Sequence, residues 1–185
     1  IISLFIIFLI STFDQNSKTR MIDNTIKQFT TSANFIDTGR PIYIFSEEHT
    51  DHFITALRMF KDSPIHGQGP KMFRKLCGNE KYKTVWGCST HPHNTYLQLL
   101  SETGVIGFFP VFIMFLFILY KFVIQFLNIY FFNNSQKLIS DEKIYIYLAL
   151  LISLWPIIPT GNFFGNWINS IYYIPIALLM RKNYE

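Results

Sequence analysis

The chain has 185 residues and a net charge of +4; half of its residues are hydrophobic and 18% are aromatic. This composition argues against a disordered chain and is unusual for a soluble domain. The first residue is Ile1 rather than Met, and it opens inside an apolar run. We therefore expect a fragment of a longer membrane protein.

Four apolar blocks are candidates for membrane spans, each of which needs ~20 mostly apolar residues. They are residues 1–13, 108–132, 144–159 and 167–180. The first block resembles the end of a span and lacks the features of a signal peptide. The alternative, that the shorter blocks are buried helices of a soluble core, fits poorly beside the longest block. The pattern predicts an all-α integral membrane protein.

Charge distribution predicts how the chain is oriented. The polar residues 14–103 carry 11 Lys and Arg against 9 Asp and Glu, a near-balance that argues against nucleic-acid binding. Short basic loops stay in the cytoplasm, whereas long loops cross largely regardless of charge. This assigns residues 133–143 and the C-terminal tail to the cytoplasm. We expect the end of a truncated span at residues 1–13, a periplasmic loop at 14–103, and about three spans within 104–185.

The loop contains one clear amphipathic helix. Ser46 or Thr50 can cap its start, and Phe53, Leu57 and Phe60 recur at helical spacing to form its apolar face. Ser63-Pro64 ends the helix.

The segment that follows this helix is rich in turn-forming residues. Gly67 and Gly69 lie in a Gly-Gln-Gly-Pro segment, which is either a plain connector or a place where the backbone approaches a ligand. Cys77 and Cys88 are the two cysteines of the chain, and both lie in the loop. An oxidising compartment would permit a disulfide between them, and two free thiols are the alternative.

Histidine chemistry is concentrated in the same loop. The five histidines are His49, His52, His66, His91 and His93. His91 and His93, or His49 and His52, have spacings that suit a metal, but no clear third ligand or standard zinc spacing accompanies them, so we predict no metal. His93 is the best-placed acid–base candidate, since it precedes a helix predicted from Tyr96. A purely structural histidine remains an open alternative.

Basic and helix-terminal groups suggest an anionic ligand. Arg40 and Arg58 offer guanidinium donors that suit a diphosphate, although a solvated surface explains them too. His93 and Asn94 stand where a helix N-terminus favours anions. No P-loop, GxGxxG, GxSxG or EF-hand pattern occurs, which removes nucleotide-driven transport and serine hydrolysis as first choices.

One string resembles a known family. His93-Asn94, nine residues, Gly104, two residues and Gly107 resemble the signature of the O-antigen ligase and O-antigen polymerase family of bacterial membrane glycosyltransferases. The upstream strings at residues 38–40, 56–64 and 67–70 resemble the family too. This resemblance implies the C-terminal part of a multi-span, all-helical glycosyltransferase-like fold with one large external loop.

The resemblance also implies a reaction. The family moves a glycan from undecaprenyl diphosphate to a hydroxyl of lipid A–core, to another repeat unit, or to a protein. Placed by the motif, His93 and Arg40 are the expected catalytic residues. The expected substrate-binding residues are Asn94, Arg58, Gly67, Gly69 and His91. We expect no cofactor, a multi-pass protein of the bacterial inner membrane, and an inactive fragment when the chain stands alone. A non-catalytic transporter that has kept the fold is the rival from another class.

Overall fold

The computed structural model describes residues 45–131 and 138–181, together with the isolated positions 19, 23 and 26. The chain divides into two units, residues 1–47 and 48–185, and the fold described below is that of the second. Predictions made for residues 1–13 and for Arg40 lie outside the described residues. Within the described ranges the regular structure is helical and contains no strand, which confirms the all-α class.

Five helices follow one another along the described ranges. They are α1 (Glu47–Asp62), α2 (Phe73–Leu76), α3 (Thr95–Tyr130), α4 (Asp141–Ser153) and α5 (Asn166–Arg181).

Helix α1 forms where it was predicted but buries a different face. Its buried residues are His52, Thr55, Ala56 and Met59. Leu57, placed on the predicted apolar face, is 40% exposed. Phe53 and Phe60 of the predicted face are half-buried, so the prediction was wrong at Leu57, because the partners of α1 are polar as well as apolar. Thr55 Oγ1 donates to the carbonyl of Tyr82 at 3.2 Å, so hydroxyl and imidazole groups turn inward with Ala56 and Met59.

A small core sits between α1 and the segment that follows it. Ala56, Met59, Phe73, Cys77 and Tyr82 form this cluster. Cys77 and Cys88 form a disulfide with a Cα–Cα distance of 5.1 Å. The covalent link closes residues 77–88 against α1 and fixes the approach to the His-Asn motif.

Helix α3 starts earlier than the predicted span and is broken once. It has 36 residues, and Gly104 interrupts it with φ 64° and ψ −162°. Among the described residues, α3 is the one helix long and apolar enough to cross a membrane. As far as Tyr130, the block predicted at residues 108–132 is therefore the second part of a longer helix whose first part belongs to the motif.

Helices α4 and α5 pack against α3. Gln125 Oε1 accepts hydrogen bonds from the backbone N–H of Leu138 and Ile139 at one end, at 2.8 and 3.1 Å. The Tyr96 hydroxyl donates to the carbonyl of Leu154 at the other end, at 2.6 Å. These two links make α3 and α4 antiparallel.

The apolar block at residues 144–159 is not one continuous helix. Helix α4 ends at Ser153, three residues before Pro156, whose ring disfavours a helical residue in front of it. The predicted single span over this block was wrong at its C-terminal end. The residues between α4 and α5 instead form an irregular turn, which reaches the motif.

Candidate functional site

Four histidines meet at the start of α3. The ring centroid of His93 lies 4.2 Å from that of His91, 5.2 Å from that of His52 and 5.4 Å from that of His49. His49 and His52 lie one turn apart on α1, while His91 and His93 lie in the irregular segment before α3. From the sequence, these four histidines were considered as two separate pairs. In the fold they form one group, called the histidine cluster below. His66, the fifth histidine, is exposed.

His93 occupies an unusual backbone conformation. Its φ is 56°, in the left-handed region that few non-glycine residues adopt. Such residues persist only where their surroundings hold them, and they concentrate at functional sites. The carbonyl of His93 accepts a hydrogen bond from the N–H of Thr160 at 2.9 Å. The turn between α4 and α5 therefore helps hold the motif histidine in place.

Burial and neighbouring imidazoles keep His93 neutral. Desolvation, followed by the charges that His91, His52 and His49 would carry, lowers the pKa of His93 to about 4. Burial is also the main reason that the pKa values of His52 and His91 lie below the ordinary 6.5. At neutral pH these three rings are uncharged, and His93, which is only half-buried, can accept a proton from an incoming group.

Both ring nitrogens of His91 are engaged within the chain. Nε2 lies 3.2 Å from the carbonyl oxygen of Thr160 and must donate to it, because a carbonyl only accepts. Nδ1 lies 2.9 Å from Thr90 Oγ1 and accepts from that hydroxyl in the neutral ring. This assignment makes His91 a packing support for the ring of His93. Its predicted contact with substrate stays a prediction.

Asn94 caps α3. Its Oδ1 accepts from the N–H groups of Tyr96 and Leu97 at 3.0 and 3.1 Å. Its Nδ2 donates to the carbonyl of Pro156 at 2.7 Å. The side chain thus satisfies two free donors of the helix start and ties that start to the α4–α5 turn. This explains why asparagine stands beside His93 whether or not it also touches substrate.

The first motif glycine, Gly104, marks a break in α3 that residues 64–69 bridge by backbone hydrogen bonds. This bridged break is called the splice below. At Gly104 the backbone leaves the helical conformation, and four neighbouring backbone groups form hydrogen bonds outside the helix. The carbonyls of Ser101 and Glu102 accept from the N–H groups of Gln68 and Gly69, at 2.9 and 2.8 Å. The N–H groups of Val105 and Ile106 donate to the carbonyls of Pro64 and Ile65, at 2.9 and 3.4 Å. Residues 64–69 therefore satisfy all four backbone groups that the break releases.

This splice requires glycine on both sides. A Cβ on Gly67 would lie 2.3 Å from the backbone carbon of Glu102, and one on Gly104 would lie 2.2 Å from the oxygen of Ile65. Gly67 and Gly104 also have φ values of 66° and 64°. A Cβ on Gly107 would lie 2.0 Å from Thr103 Oγ1. The close backbone approach predicted for residues 67–70 is thus an approach to α3, and substrate contacts by Gly67 and Gly69 stay predictions.

A buried polar network, which was not predicted from the sequence, lies on the first part of α3. Gln98 Nε2 donates to Glu102 Oε2 at 3.0 Å and to Asn162 Oδ1 at 2.8 Å. Gln98 Oε1 accepts from the N–H of Phe163 at 2.9 Å, and Glu102 Oε1 accepts from that of Phe73 at 2.8 Å. The available signal was a Gln and a Glu spaced four residues apart beside the motif. The network joins α3 to α2 and to the α4–α5 turn.

The remaining predicted residues lie apart from this network. Arg58 is exposed, and its Nη1 donates to the carbonyls of Lys83 and Tyr82 at 2.6 and 3.4 Å. It braces the disulfide-closed segment, and its role toward a diphosphate stays a prediction. Within residues 45–131 and 138–181 no group of three or more His, Cys, Asp or Glu side chains is arranged to hold a metal ion.

The described residues combine a helical fold, one helix long and apolar enough to cross a membrane, and a histidine cluster that forms a candidate acid–base site. A family model described as O-antigen ligase matches residues 1–112, which is more than half of the chain. The chain therefore belongs to the O-antigen ligase family of membrane glycosyltransferase-type enzymes. No curated protein and no solved structure matches the chain at a significant level.

Proposed function

We propose that the protein transfers a glycan from undecaprenyl diphosphate to a sugar hydroxyl of lipid A–core, with His93 as the base that receives the hydroxyl proton. The arrangement of His93 carries this proposal. It is a neutral, half-buried imidazole, held at φ 56° and clamped through its carbonyl by Thr160. A side chain fixed in this way suits the positioning of an acceptor group better than a merely space-filling role.

The chemistry proposed is a displacement at the anomeric carbon. The acceptor oxygen forms the new glycosidic bond while the bond to the diphosphate breaks, and the diphosphate leaves with the electron pair. No nucleotide and no protein nucleophile are needed, since the diphosphate is already a good leaving group. Arg40, helped by Arg58, would offset the charge that develops on it.

The proposed setting is the bacterial inner membrane, with α3, α4 and α5 as spans and the histidine cluster at the periplasmic surface. The outward-facing apolar residues of all three helices support this setting, because a lipid environment needs no polar exterior. Helices α4 and α5, with 13 and 16 residues, are shorter than a typical span. Their turn, residues 154–165, would lie on the same side as His93, to which Thr160 is hydrogen-bonded.

The test restores the intact gene to a host that lacks it, as wild type, His93→Ala or His66→Ala, and examines surface lipopolysaccharide on a gel. We expect wild type and the His66→Ala control to build a glycan ladder on lipid A–core. His93→Ala should leave bare core while lipid-linked glycan accumulates. Immunoblots must show equal amounts of the three proteins in the membrane.

The same gel separates the alternatives. Core carrying a single repeat unit in the deleted host would identify a polymerase, and a pattern that ignores the gene would favour protein glycosylation or transport. A ladder that survives His93→Ala would contradict the base role. Arg40→Lys tests the leaving-group role: turnover near that of wild type would show that a guanidinium fork on the diphosphate is not required.

A further inference from the structure

His52 is a buried histidine with an unused ring nitrogen. Its side chain lies on α1, it is 8% exposed, and its Nδ1 is buried without a hydrogen-bond partner among the described residues. Leaving a buried polar atom without a hydrogen-bond partner is unfavourable, so such an atom calls for an explanation. The ring centroid of His52 is 5.2 Å from that of His93. One of the rings packed around the motif histidine therefore has a nitrogen without a hydrogen-bond partner.

The other motif-side neighbour of His93 offers no such nitrogen. His91 is closer, at 4.2 Å between ring centroids, but its Nε2 and Nδ1 are engaged with Thr160 and Thr90. A proton moving to His91 would break the hydrogen bond that it accepts from Thr90. His52 can take a proton on Nδ1 without losing any hydrogen bond of that atom. The two rings nearest to His93 are thus unequal, because His91 serves as support whereas His52 has an unpartnered ring nitrogen.

We propose that His52 is a positioning and proton-relay residue for the transfer reaction, taking from His93 the proton that the acceptor hydroxyl releases. This inference rests on the proposed function. The proton passes from the acceptor oxygen to His93 as the glycosidic bond forms, then to His52, and then to water. The electron pair of the broken bond leaves with the diphosphate, so each turnover releases one proton and returns both rings to their neutral state.

The surroundings of His52 suit this task. Burial lowers its pKa, and His49 and His91 would lower it further if charged, whereas the carboxylates of Glu48 and Asp51 raise it. The ring is consequently neutral at pH 7 and has two carboxylates on its own helix that stabilise the charged form. The ring centroids of His52 and His93 are 5.2 Å apart, and catalytic hydrogen bonds commonly reach their final geometry only when substrate is bound.

The splice at Gly104 explains how the two rings come together. Residues 64–69 follow α1 directly and are bonded to both sides of the break in α3. His93 lies two residues before the start of α3 at Thr95 and eleven residues before Gly104. The distance between the motif histidine and the motif glycine thus fixes where α1 is anchored, and α1 carries His52. The spacing between His93 and Gly104 therefore also positions His52 relative to His93.

The test measures glycan transfer in membranes containing the intact protein, with lipid-linked glycan as donor and lipid A–core as acceptor. The variants are His52→Gln, which keeps polarity but does not titrate, and His66→Gln as the matched control at an exposed histidine. We expect kcat of His52→Gln to fall ~10- to 100-fold, with KM for both substrates within about twofold of wild type. His66→Gln should match wild type.

A second variant guards against simple misfolding. His52→Ala leaves space for imidazole, and added imidazole should raise its kcat about tenfold or more, with a rate that follows the concentration of the neutral base. A misfolded protein cannot be rescued in this way. If kcat of His52→Gln stays within twofold of His66→Gln, or if imidazole fails to rescue His52→Ala, the relay is wrong.

The outcomes also separate this inference from the proposed function. If His93→Ala abolishes transfer while His52→Gln behaves like His66→Gln, only the relay fails. If the wild-type protein transfers no glycan, or if His93→Ala is fully active, the proposed function itself fails and the relay with it.

Discussion

The two parts of α3, before and after Gly104, differ in which side chains they bury and which they expose. The part at residues 95–102 buries polar side chains, with Gln98 and Glu102 only 1% and 0% exposed. The part at residues 105–130 turns apolar side chains outward, with Phe109 and Ile113 52% and 59% exposed. One helix thus passes from a polar interior to an apolar exterior within a few turns.

The difference shows that the first part of α3 fixes how neighbouring elements are oriented, whereas the second part does not. A buried polar group must find a directed partner, so Gln98 and Glu102 fix α2, α3 and the α4–α5 turn relative to one another. Apolar side chains facing lipid have no directional requirement, and many arrangements satisfy them. The motif lies in the part whose geometry is specified, whereas the second part of α3 supplies the long apolar stretch that the proposed membrane setting requires.

The largest expected loss of stability comes from a substitution at Gly104, where the two parts of α3 meet. Gly104→Ala places a Cβ against the backbone of Ile65 at a positive φ, and we expect a loss of ~3 kcal/mol or more in unfolding free energy. Thermal unfolding of detergent-solubilised protein measures it. Gly78→Ala is the control, since a Cβ there meets only Cys88 Sγ at 3.7 Å. Equal melting of the two variants would show that the splice does not require glycine.

The next effect tests whether the first part depends on its polar network. Gln98→Leu keeps the size of the side chain but leaves the N–H of Phe163 and the side chains of Glu102 and Asn162 without this partner. We expect a loss of ~2–3 kcal/mol by the same melting experiment.

Leu116→Ile, on the exposed face of the second part, is the matched substitution. It should change stability by less than ~0.5 kcal/mol, because the side chain remains apolar at a surface position. An equal loss of stability in Leu116→Ile and Gln98→Leu would contradict the proposed difference between the two parts of α3.

A smaller effect is expected from the disulfide that closes residues 77–88. Replacing both Cys77 and Cys88 by Ser should lower stability by ~2 kcal/mol, since the closed loop is short. Melting with and without reductant measures the contribution, and the double variant should not respond to reductant. A response of the double variant would attribute the effect of the reductant to something other than this bond.

The smallest effect concerns pH. Because the pKa of His93 is lowered to about 4, the acid limb of kcat/KM should be centred near pH 4 and not near the ordinary 6.5. The sign follows from protonation: the base is neutral above this value and is lost as the pH falls through it. A pH–rate profile with donor and acceptor below saturation tests this, and a limb at 6.5 would contradict the buried, neutral cluster.

Stability should respond in the same pH range. His52, His91 and His93 all have folded-state pKa values below the ordinary 6.5, so the unfolded chain binds more protons as the pH falls below that value. The free energy of unfolding should therefore decline as the pH falls from 6.5 toward 4.

Much of the fold could be predicted from local pattern. The start of α3 after Asn94, the helix at residues 47–62 and the block that became α5 all followed from capping residues and apolar periodicity. The face of α1 did not, since His52 and Thr55 are inward for reasons set by residues far along the chain. The end of α4 was also misjudged, although Pro156 was a visible signal.

By itself the sequence determined the helical class, the apolar blocks and the family motif, because helix caps, hydrophobic runs and glycine spacing are local properties. Only the tertiary structure decided that four histidines form one cluster, that residues 64–69 are spliced into α3, and that Gln98 and Glu102 are buried. These depend on hydrogen bonds between residues that are distant in sequence. Each buried polar group must find a hydrogen-bond partner, and a local sequence pattern does not identify a partner that is distant in the chain.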